Sequence, residues 1–459
     1  MNAITLKMDL YEYKQVENSC KLIAEKLQLN SDRVEEDLMT ITNLLEQYRD
    51  KQQYQNKREH QAKIQVPTAT VTRCIDFLKQ TNLIQRLNEL IGKSGIIGEE
   101  TNRILLFIIA SSYKMPDTLH GLIQGSSGSG KTRLLKIISQ LMPDEDVKRY
   151  TRVTDNSFYN QDEYFFVNKL LCFEDLDGLK EDAQLAVREL QSNEILITST
   201  SIKEASGKIS GGERTVRGPI ASLACTTKGE IYEDNVSRSF LVAVDESKEQ
   251  TQRIIQYQNE TSAGLIDKTE QQKINQFIQN CMRLLKPYEV INPYAHKIRL
   301  PEEAHKIRRL NELYQSFVKQ ICILNQYQRK QDKQGRLIAE KEDLQTACDI
   351  LFDSIVLKVD ELDGSLRQFY EKLKDFVLKK CKAMQRTTDI EFNRFEIREA
   401  TGVSKTQQHY YIQKLVELEY IQQRGFANRG YSYKISHWDN IAAVRARIKD
   451  NLQIQLDQL

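Results

Sequence analysis

The stretch from Gly121 to Leu135 reads GLIQGSSGSGKTRLL: an apolar run, a glycine and serine cluster, a Lys-Thr pair and a helical pattern. Eight residues within it fit the motif GxxxxGK[ST] in full. Glycines let backbone N–H groups converge on phosphates without a Cβ in the way, and a helix N-terminus favours a bound anion. The sequence therefore predicts a strand, a phosphate-binding loop and a helix within an α/β domain. The loop residues are Gly125, Ser126, Ser127, Gly128, Ser129, Gly130, Lys131 and Thr132.

Two side chains of this loop have distinct expected roles. Lys131 is expected to reach the β- and γ-phosphates of a nucleotide, and the hydroxyl of Thr132 is expected to bind Mg²⁺. ATP is therefore the expected ligand, and Mg²⁺ is the expected cofactor.

The run NKLLCFEDLDG supplies acidic residues for such a site. Its four apolar residues, Leu170 to Phe173, indicate a strand buried on both faces, and ligands bind at the carboxyl ends of such strands. Glu174 is expected to help hold the metal, and Asp175 is expected to polarise the attacking water. This order reverses the usual Asp before Glu, and Asp177 is an alternative for the second role.

Further along, two β-rich runs flank a glycine- and serine-rich tip, and the buried run PIASLACTT follows. The order predicts a hairpin carrying Lys203 and Lys208, then a strand ending in Thr226 and Thr227. A polar residue at that strand end can sense the γ-phosphate and hold the water. Arg238 then precedes an apolar strand, where it is either an arginine finger for a neighbouring subunit or a surface ion pair. From these residues alone, an ordinary surface hairpin is the favoured interpretation.

Composition bounds the remaining possibilities. The 459 residues are 40% hydrophobic and 28% charged, which suits two to four globular domains. No run of 18 apolar residues and no signal-peptide pattern is present, so we expect a cytoplasmic protein without a membrane partner. The eight cysteines and six histidines are dispersed, which favours reduced core thiols over a structural metal site. Net charge is +2, yet residues 364–459 hold 17 basic and 11 acidic residues, so a nucleic-acid contact is electrostatically easiest there, and a solvated surface is an equal alternative on charge alone.

The region from Phe392 to Ile435 predicts a winged helix. RFEIREATG is a short helix ended by glycine, Ser404 caps the next helix, and two alternating strands surround the tip RGFANRG. Winged helices bind duplex DNA or dock proteins, and the basic balance favours DNA. The predicted DNA contacts are Lys405, Gln408, His409, Arg424 and Arg429.

The order of these features, from phosphate-binding loop through paired acids, hairpin and strand-end threonine to Ser-Arg-x-Phe, resembles that of the AAA+ ATPases. More narrowly, the runs LAVRELQSNEILI, TVRGPIASLACTT and NVSRSFLVAVDESKEQTQRI are similar to ATPases of mobile genetic elements that resemble MCM helicases. The similarity covers roughly residues 75–330. It implies that the hairpin is a pore loop, that Thr226 or Thr227 is a first sensor, and that Arg238 acts in trans. Arg308 or Arg309 matches a second sensor.

The resemblance implies an α/β architecture with four parts. A helical N-terminal region covers residues 1–95, an AAA+ core 96–265, a helical lid 266–362, and a winged-helix domain with a tail 363–459. The chain lacks the zinc and toprim features of primase fusions, so we expect a separate motor with a primase or initiator as partner.

The predicted function is a hexameric, ring-forming, ATP-dependent DNA helicase or translocase that moves on single-stranded DNA during replication of a mobile element. Two alternatives stay open. One is an AAA+ remodeller or regulator of transposition or replication that assembles on DNA without unwinding it. The other is a non-catalytic, nucleotide-gated DNA-binding switch, against which the paired acids and Arg238 argue.

Overall fold

The structure is a computed structural model, and it describes residues 8, 10, 12–60, 66–154, 156–203, 209–227, 238–304, 306–362, 364–381, 390–426 and 430–459. The chain divides into two compact units, Met1–Val66 and Pro67–Leu459. Within the described ranges, every helix is too short or too polar to cross a bilayer.

The first unit is a pair of helices, α1 (Tyr13–Leu27) and α2 (Ser31–His60). Gln28 ends α1 with a left-handed backbone at φ 55°, which turns the chain toward α2. The contact between the helices buries a small cluster, formed by Cys20, Ala24 and Val34.

The second unit contains thirteen described helices and eleven described strands. The helices are α3 (Thr68–Leu78), α4 (Leu83–Lys93), α5 (Glu100–Ser111), α6 (Lys131–Gln140), α7 (Glu181–Asn193), α8 (Lys248–Ser262), α9 (Lys268–Leu284), α10 (Ile307–Leu324), α11 (Lys341–Val359), α12 (Gly364–Lys380), α13 (Arg394–Thr401), α14 (Lys405–Glu417) and α15 (Ile441–Asp457). The strands are β1 (His120–Gln124), β2 (Val147–Tyr150), β3 (Lys169–Phe173), β4 (Ile195–Lys203), β5 (Ile209–Arg217), β6 (Ile220–Thr226), β7 (Phe240–Ala243), β8 (Val290–Ile291), β9 (Leu337–Ile338), β10 (Ile421–Phe426) and β11 (Gly430–Ile435).

The first domain boundary lies at residue 66, whereas the sequence predicts it at residue 95. The difference is due to helices α3 and α4. Cys74, Leu78, Leu87 and Ile91 are fully buried and belong to the same core as the central sheet. Their apolar faces pack on that core, so these helices are part of the second unit.

The centre of the second unit is a five-stranded sheet in the order β2-β3-β6-β1-β7. All four strand pairs are parallel, so the carboxyl ends of all five strands meet at one edge. Parallel strands are usually covered on both faces and therefore read as continuous apolar runs. Strand β6 shows this most clearly, because all seven of its residues are buried.

Two helical layers bury the sheet. Helix α5 covers one face with eight consecutive buried residues, from Ile104 to Ser111. On the other face, α7 packs with Phe158 and Phe166 against β3 and β6. The sheet is thus a fixed platform for the loops at its carboxyl edge.

Strands β4 and β5 form the hairpin that the sequence predicts between a helix and β6. The two nine-residue strands pair antiparallel from Ile195 opposite Arg217 to Lys203 opposite Ile209. Leu196 and Val216 anchor the base of the hairpin in the core.

Residues 364–435, here called the C-terminal segment, have a core of their own. Helices α12, α13 and α14 and the hairpin β10–β11 bury an apolar cluster that includes Leu373, Leu415 and Tyr433. Phe392 adds a short antiparallel bridge to Tyr433.

The last helix packs on the core of the central sheet, although the predicted boundary at 363 grouped it with the C-terminal segment. Ile448, Leu452 and Leu456 of α15 lie in the core of the central sheet and its surrounding helices. Arg445 also bonds to Asp353 of α11 at 2.5 Å. The tail therefore belongs with residues 67–362.

The chain leaves that core at Asp360 and returns to it at Asp439, and one buried arginine joins the two crossings. Arg367 bonds to Asp360 through Nε and Nη2 at 2.7 and 2.5 Å. Its Nη1 lies 2.6 Å from Asp439. Planar guanidinium pairing of this kind fixes geometry as well as charge, so the two crossings are held side by side.

Candidate nucleotide-binding site

The predicted phosphate-binding loop lies at the carboxyl edge of the sheet, between β1 and α6. All five residues of β1 are buried. Gly128 and Gly130 have φ of 84° and 97°, and a Cβ added at either position would meet nothing within 4 Å. These glycines leave an open cradle in front of the helix, whose first N–H groups face it.

Lys131 lies across the loop. Its Nζ donates to the carbonyl oxygens of Gly125 and Ser126 at 2.8 and 2.5 Å, and the residue is only 6% exposed. Burial lowers the pKa of Lys131, whereas the nearby carboxylates of Glu246 and Asp177 raise it. The ammonium is therefore held over the loop by groups that a phosphate can replace.

Glu246 is a member of the site that the sequence did not indicate. It follows β7, the neighbour of β1, and its carboxylate accepts from N and Oγ of Ser126 at 2.6 and 2.8 Å. A Cβ on Gly125 would lie 2.5 Å from Val244 and 3.1 Å from Glu246, so the first glycine of the loop is required for this close approach.

The acids after β3 and the threonines after β6 meet at the same edge. Asp177 accepts from the Thr226 hydroxyl at 2.8 Å, and from N and Oγ1 of Thr227 at 2.7 and 3.0 Å. Strand β6 lies between β1 and β3, so Thr226 lies between the phosphate-binding loop and the acids. Asp177, the predicted alternative, is the acid that bonds to the threonines.

Glu174 and Asp175 keep accessible carboxylates. Glu174 is half-buried and Asp175 is exposed, while the backbone N–H of Leu176 bonds to the carbonyl of Cys225 at 2.9 Å. That bond ties the acidic loop to β6. The hydroxyl-bearing Thr132 is also exposed, at the first turn of α6. Hydroxyl and carboxylate oxygens are suitable Mg²⁺ ligands, so these residues fit the ion in their chemistry.

Arg238 lies at the opposite edge of the sheet. It precedes β7, which runs parallel to β1, so it is close to the amino end of β1 rather than to Lys131. Its Nε donates to Ser192 Oγ at the end of α7. Arg308 is exposed and Arg309 half-buried at the start of α10, and their sensor role stays a prediction.

A buried histidine anchors the end of α7 beside Arg238. His120 Nδ1 lies 3.1 Å from Ser222 Oγ, and Gln191 Nε2 donates to the same hydroxyl at 2.9 Å. Burial lowers the pKa of His120 to about 4; its bond to the Gln191 backbone raises the pKa, and Arg238 lowers it further.

The predicted DNA-contact residues differ in their exposure to solvent. Lys405 and His409 are exposed on α14, and Arg424 is exposed on β10. Gln408 is 2% exposed, and its Nε2 donates to the carbonyl of Arg394 at 2.5 Å, so its amide is buried and bonded within the C-terminal segment. Lys208, Arg429 and the side chain of Lys203 lie outside the described residues.

The model of one protein family, described as "MTBMA_p00010 P-loop domain", matches residues 68–287. The similarity is to a P-loop domain. It begins at α3, as does the second unit, and it contains the loop, the acids, the hairpin and Glu246. No curated protein matches the chain. P-loop domains generally bind a nucleotide with Mg²⁺, which agrees with the cradle formed by Gly128, Gly130 and Lys131.

Proposed function

We propose that the chain is an ATP-hydrolysing motor of the AAA+ type that forms rings and acts on DNA as a helicase or translocase of a mobile genetic element. The observation that supports hydrolysis, rather than binding alone, is the bonding of Thr226 and Thr227 to Asp177 between the phosphate-binding loop and the acids. A protein that only binds nucleotide needs no such polar junction beside the γ-phosphate position.

In this proposal different residues of the chain bind the phosphates, activate the attacking water and hold Mg²⁺. Lys131 leaves its two carbonyl partners and pairs with the β- and γ-phosphates, while the N–H groups of α6 face the negative charge. Asp175 polarises the attacking water by accepting a hydrogen bond from it, and Thr226 and Thr227 orient that water. Thr132 and Glu174 would hold Mg²⁺, which neutralises charge on the phosphates.

Arg238 supports an oligomeric motor. It lies at the sheet edge opposite its own Lys131, and this location supports a role at a neighbouring subunit's nucleotide rather than at its own. An arginine in that position can pair with the γ-phosphate and stabilise the charge that develops during transfer. We therefore propose hydrolysis at subunit interfaces of a ring, with Arg308 or Arg309 as a further sensor.

Contact with DNA is proposed at two places. The hairpin β4–β5 extends from a buried base, and Lys203 and Lys208 on it would grip single-stranded DNA in the ring. The second place is the C-terminal segment, which we propose to be a winged helix, and Lys405, His409 and Arg424 are exposed on it. A primase or initiator is the proposed protein partner.

A strand-displacement assay on forked DNA tests the proposal. The full chain with ATP is expected to release the labelled strand, and Lys131→Ala is the inactive control. Lys203→Ala/Lys208→Ala should keep basal ATP hydrolysis and lose both stimulation by DNA and unwinding. DNA-stimulated hydrolysis without displacement would instead identify a remodeller. A chain that hydrolyses ATP but neither binds DNA nor responds to it would overturn the proposal.

A further inference from the structure

The hairpin β10–β11 has one buried and one exposed face. Six residue pairs define its register, from Ile421 opposite Ile435 to Phe426 opposite Gly430. Side chains alternate between the faces of a strand. The inner face is the one that packs on the core of the C-terminal segment. It carries three residues that are at most 1% exposed, Ile421, Tyr433 and Ile435.

The outer face therefore carries Gln422, Arg424 and Phe426 on β10, with Ser432 and Lys434 on β11. Phe426 is 78% exposed, an unusual state for so large an apolar side chain. It lies opposite Gly430, which has no side chain to cover the ring. The exposed aromatic is thus built into the strand pairing.

The backbone beneath Phe426 has little freedom. Gly425 has φ of 97°, and a Cβ added there would lie 2.5 Å from the carbonyl oxygen of Gly430. Only glycine permits this conformation and this close approach. The position of Phe426 is consequently set by the fold, which reduces the entropy that a ligand contact must overcome.

The charges on this face favour an anionic ligand. Arg424 and Lys434 are its two cations, and among the described residues Glu391 is the acid that pairs with Arg424, at 3.2 Å. The two side chains of that pair are 51% and 45% exposed, so the pair is weak and a phosphate can replace the carboxylate.

We propose that this outer face binds single-stranded nucleic acid, with Phe426 stacked on an unpaired base and Arg424 and Lys434 contacting the flanking phosphates. Cations that follow a backbone, combined with an exposed aromatic ring, are how proteins bind single strands without sequence preference. The inference rests on the proposed function, in which the C-terminal segment contacts DNA, and names the form of DNA it takes. A protein-docking surface would extend apolar area around the ring, whereas the other side chains on this face are polar or charged.

Tryptophan fluorescence gives a local test in the full chain. Trp438 is the only tryptophan, so Trp438→Phe provides a silent background. In that background Phe426→Trp should be quenched when an oligothymidylate binds, because stacking on a base quenches indole emission. Phe395→Trp is the matched control, since Phe395 is 79% exposed on α13. Quenching at Phe395→Trp without quenching at Phe426→Trp, or quenching at neither while the oligonucleotide binds, overturns the proposal.

Affinity distinguishes stacking from apolar contact. In a Lys203→Ala/Lys208→Ala background, Phe426→Ala and Phe426→Leu should both weaken oligothymidylate binding by about 5- to 150-fold, and Phe426→Trp should retain it. A Phe426→Leu variant with unchanged affinity would refute stacking on a base. Those results would leave the motor intact, whereas a wild-type chain that binds no DNA would refute the proposed function itself. Circular dichroism verifies that each variant is folded.

Discussion

Asp177→Asn keeps the shape of the side chain but removes its charge and one of its acceptors. In the native site both carboxylate oxygens accept, one from the Thr226 hydroxyl and the other from N and Oγ1 of Thr227. An amide can accept through one oxygen alone. Its NH₂ group must then face either the N–H of Thr227 or the hydroxyl of Thr226, and at least one hydrogen bond to a charged acceptor is lost.

The magnitude follows from that lost bond. A hydrogen bond to a charged group contributes about 1.5–3 kcal/mol. If the threonines hold the attacking water, the loss appears in the chemical step and lowers kcat by about 10- to 150-fold. Nucleotide affinity should change by less than about threefold, because the contacts made by Lys131 and the loop are untouched.

Steady-state ATP hydrolysis at saturating nucleotide measures kcat, and titration with a fluorescent nucleotide measures the nucleotide affinity. Asp182→Asn is a matched control, because Asp182 is an exposed acid on the neighbouring helix α7 and should leave kcat unchanged. Thermal unfolding verifies the fold of both variants. A folded Asp177→Asn protein with kcat within twofold of wild type would refute the role of this junction in hydrolysis.

Three further outcomes test other parts of the site. Lys131→Ala should bind ATP far more weakly in a calorimetric titration while remaining folded, and near-normal affinity would exclude the phosphate-binding role. Arg238→Ala should bind ATP but lose about 10³-fold or more in hydrolysis rate, and mixing it with Lys131→Ala subunits should restore activity; inactive mixtures that co-assemble would contradict action in trans. His120 has a folded pKa of about 4 against about 6.5 when unfolded, so the unfolded chain takes up its proton first as the pH falls. Neutral His120 thus contributes its full stabilisation above pH 6.5, and the free energy of unfolding falls by about 3 kcal/mol between pH 6.5 and pH 4. Urea unfolding of His120→Asn should lack that decline, and equal pH slopes for variant and wild type would disprove the contribution of His120.

Local patterns account for the parts of the fold and site that could be predicted. The phosphate-binding loop, the strand before the acids and the β4–β5 hairpin each have a local sequence signature. Thr226 could be assigned to a strand end because the run before it, IASLAC, is mostly apolar. These features need no knowledge of which strands are neighbours.

The missed features depend on contacts between distant elements. Glu246 reaches Ser126 only because β7 lies beside β1, and strand order cannot be read from either run alone. Gln408 is polar and sits among other polar residues, so its spacing does not separate it from Lys405 and His409. Its burial is decided by the carbonyl of Arg394, which lies on another helix. The apolar stripe of α15 likewise gives no sign of which surface it covers.

The arginine that joins the two chain crossings has a practical meaning for anyone redesigning the molecule. Cutting the chain at Gly364 would strip Ile448, Leu452 and Leu456 from the main core, so such a truncation would expose apolar surface and confuse loss of binding with loss of folding. Because Asp360 and Asp439 share one guanidinium, their backbones are near enough for a few flexible residues to bridge them. Arg367 itself lies between them, so any replacement for residues 361–438 must also supply a cation that pairs with the two carboxylates.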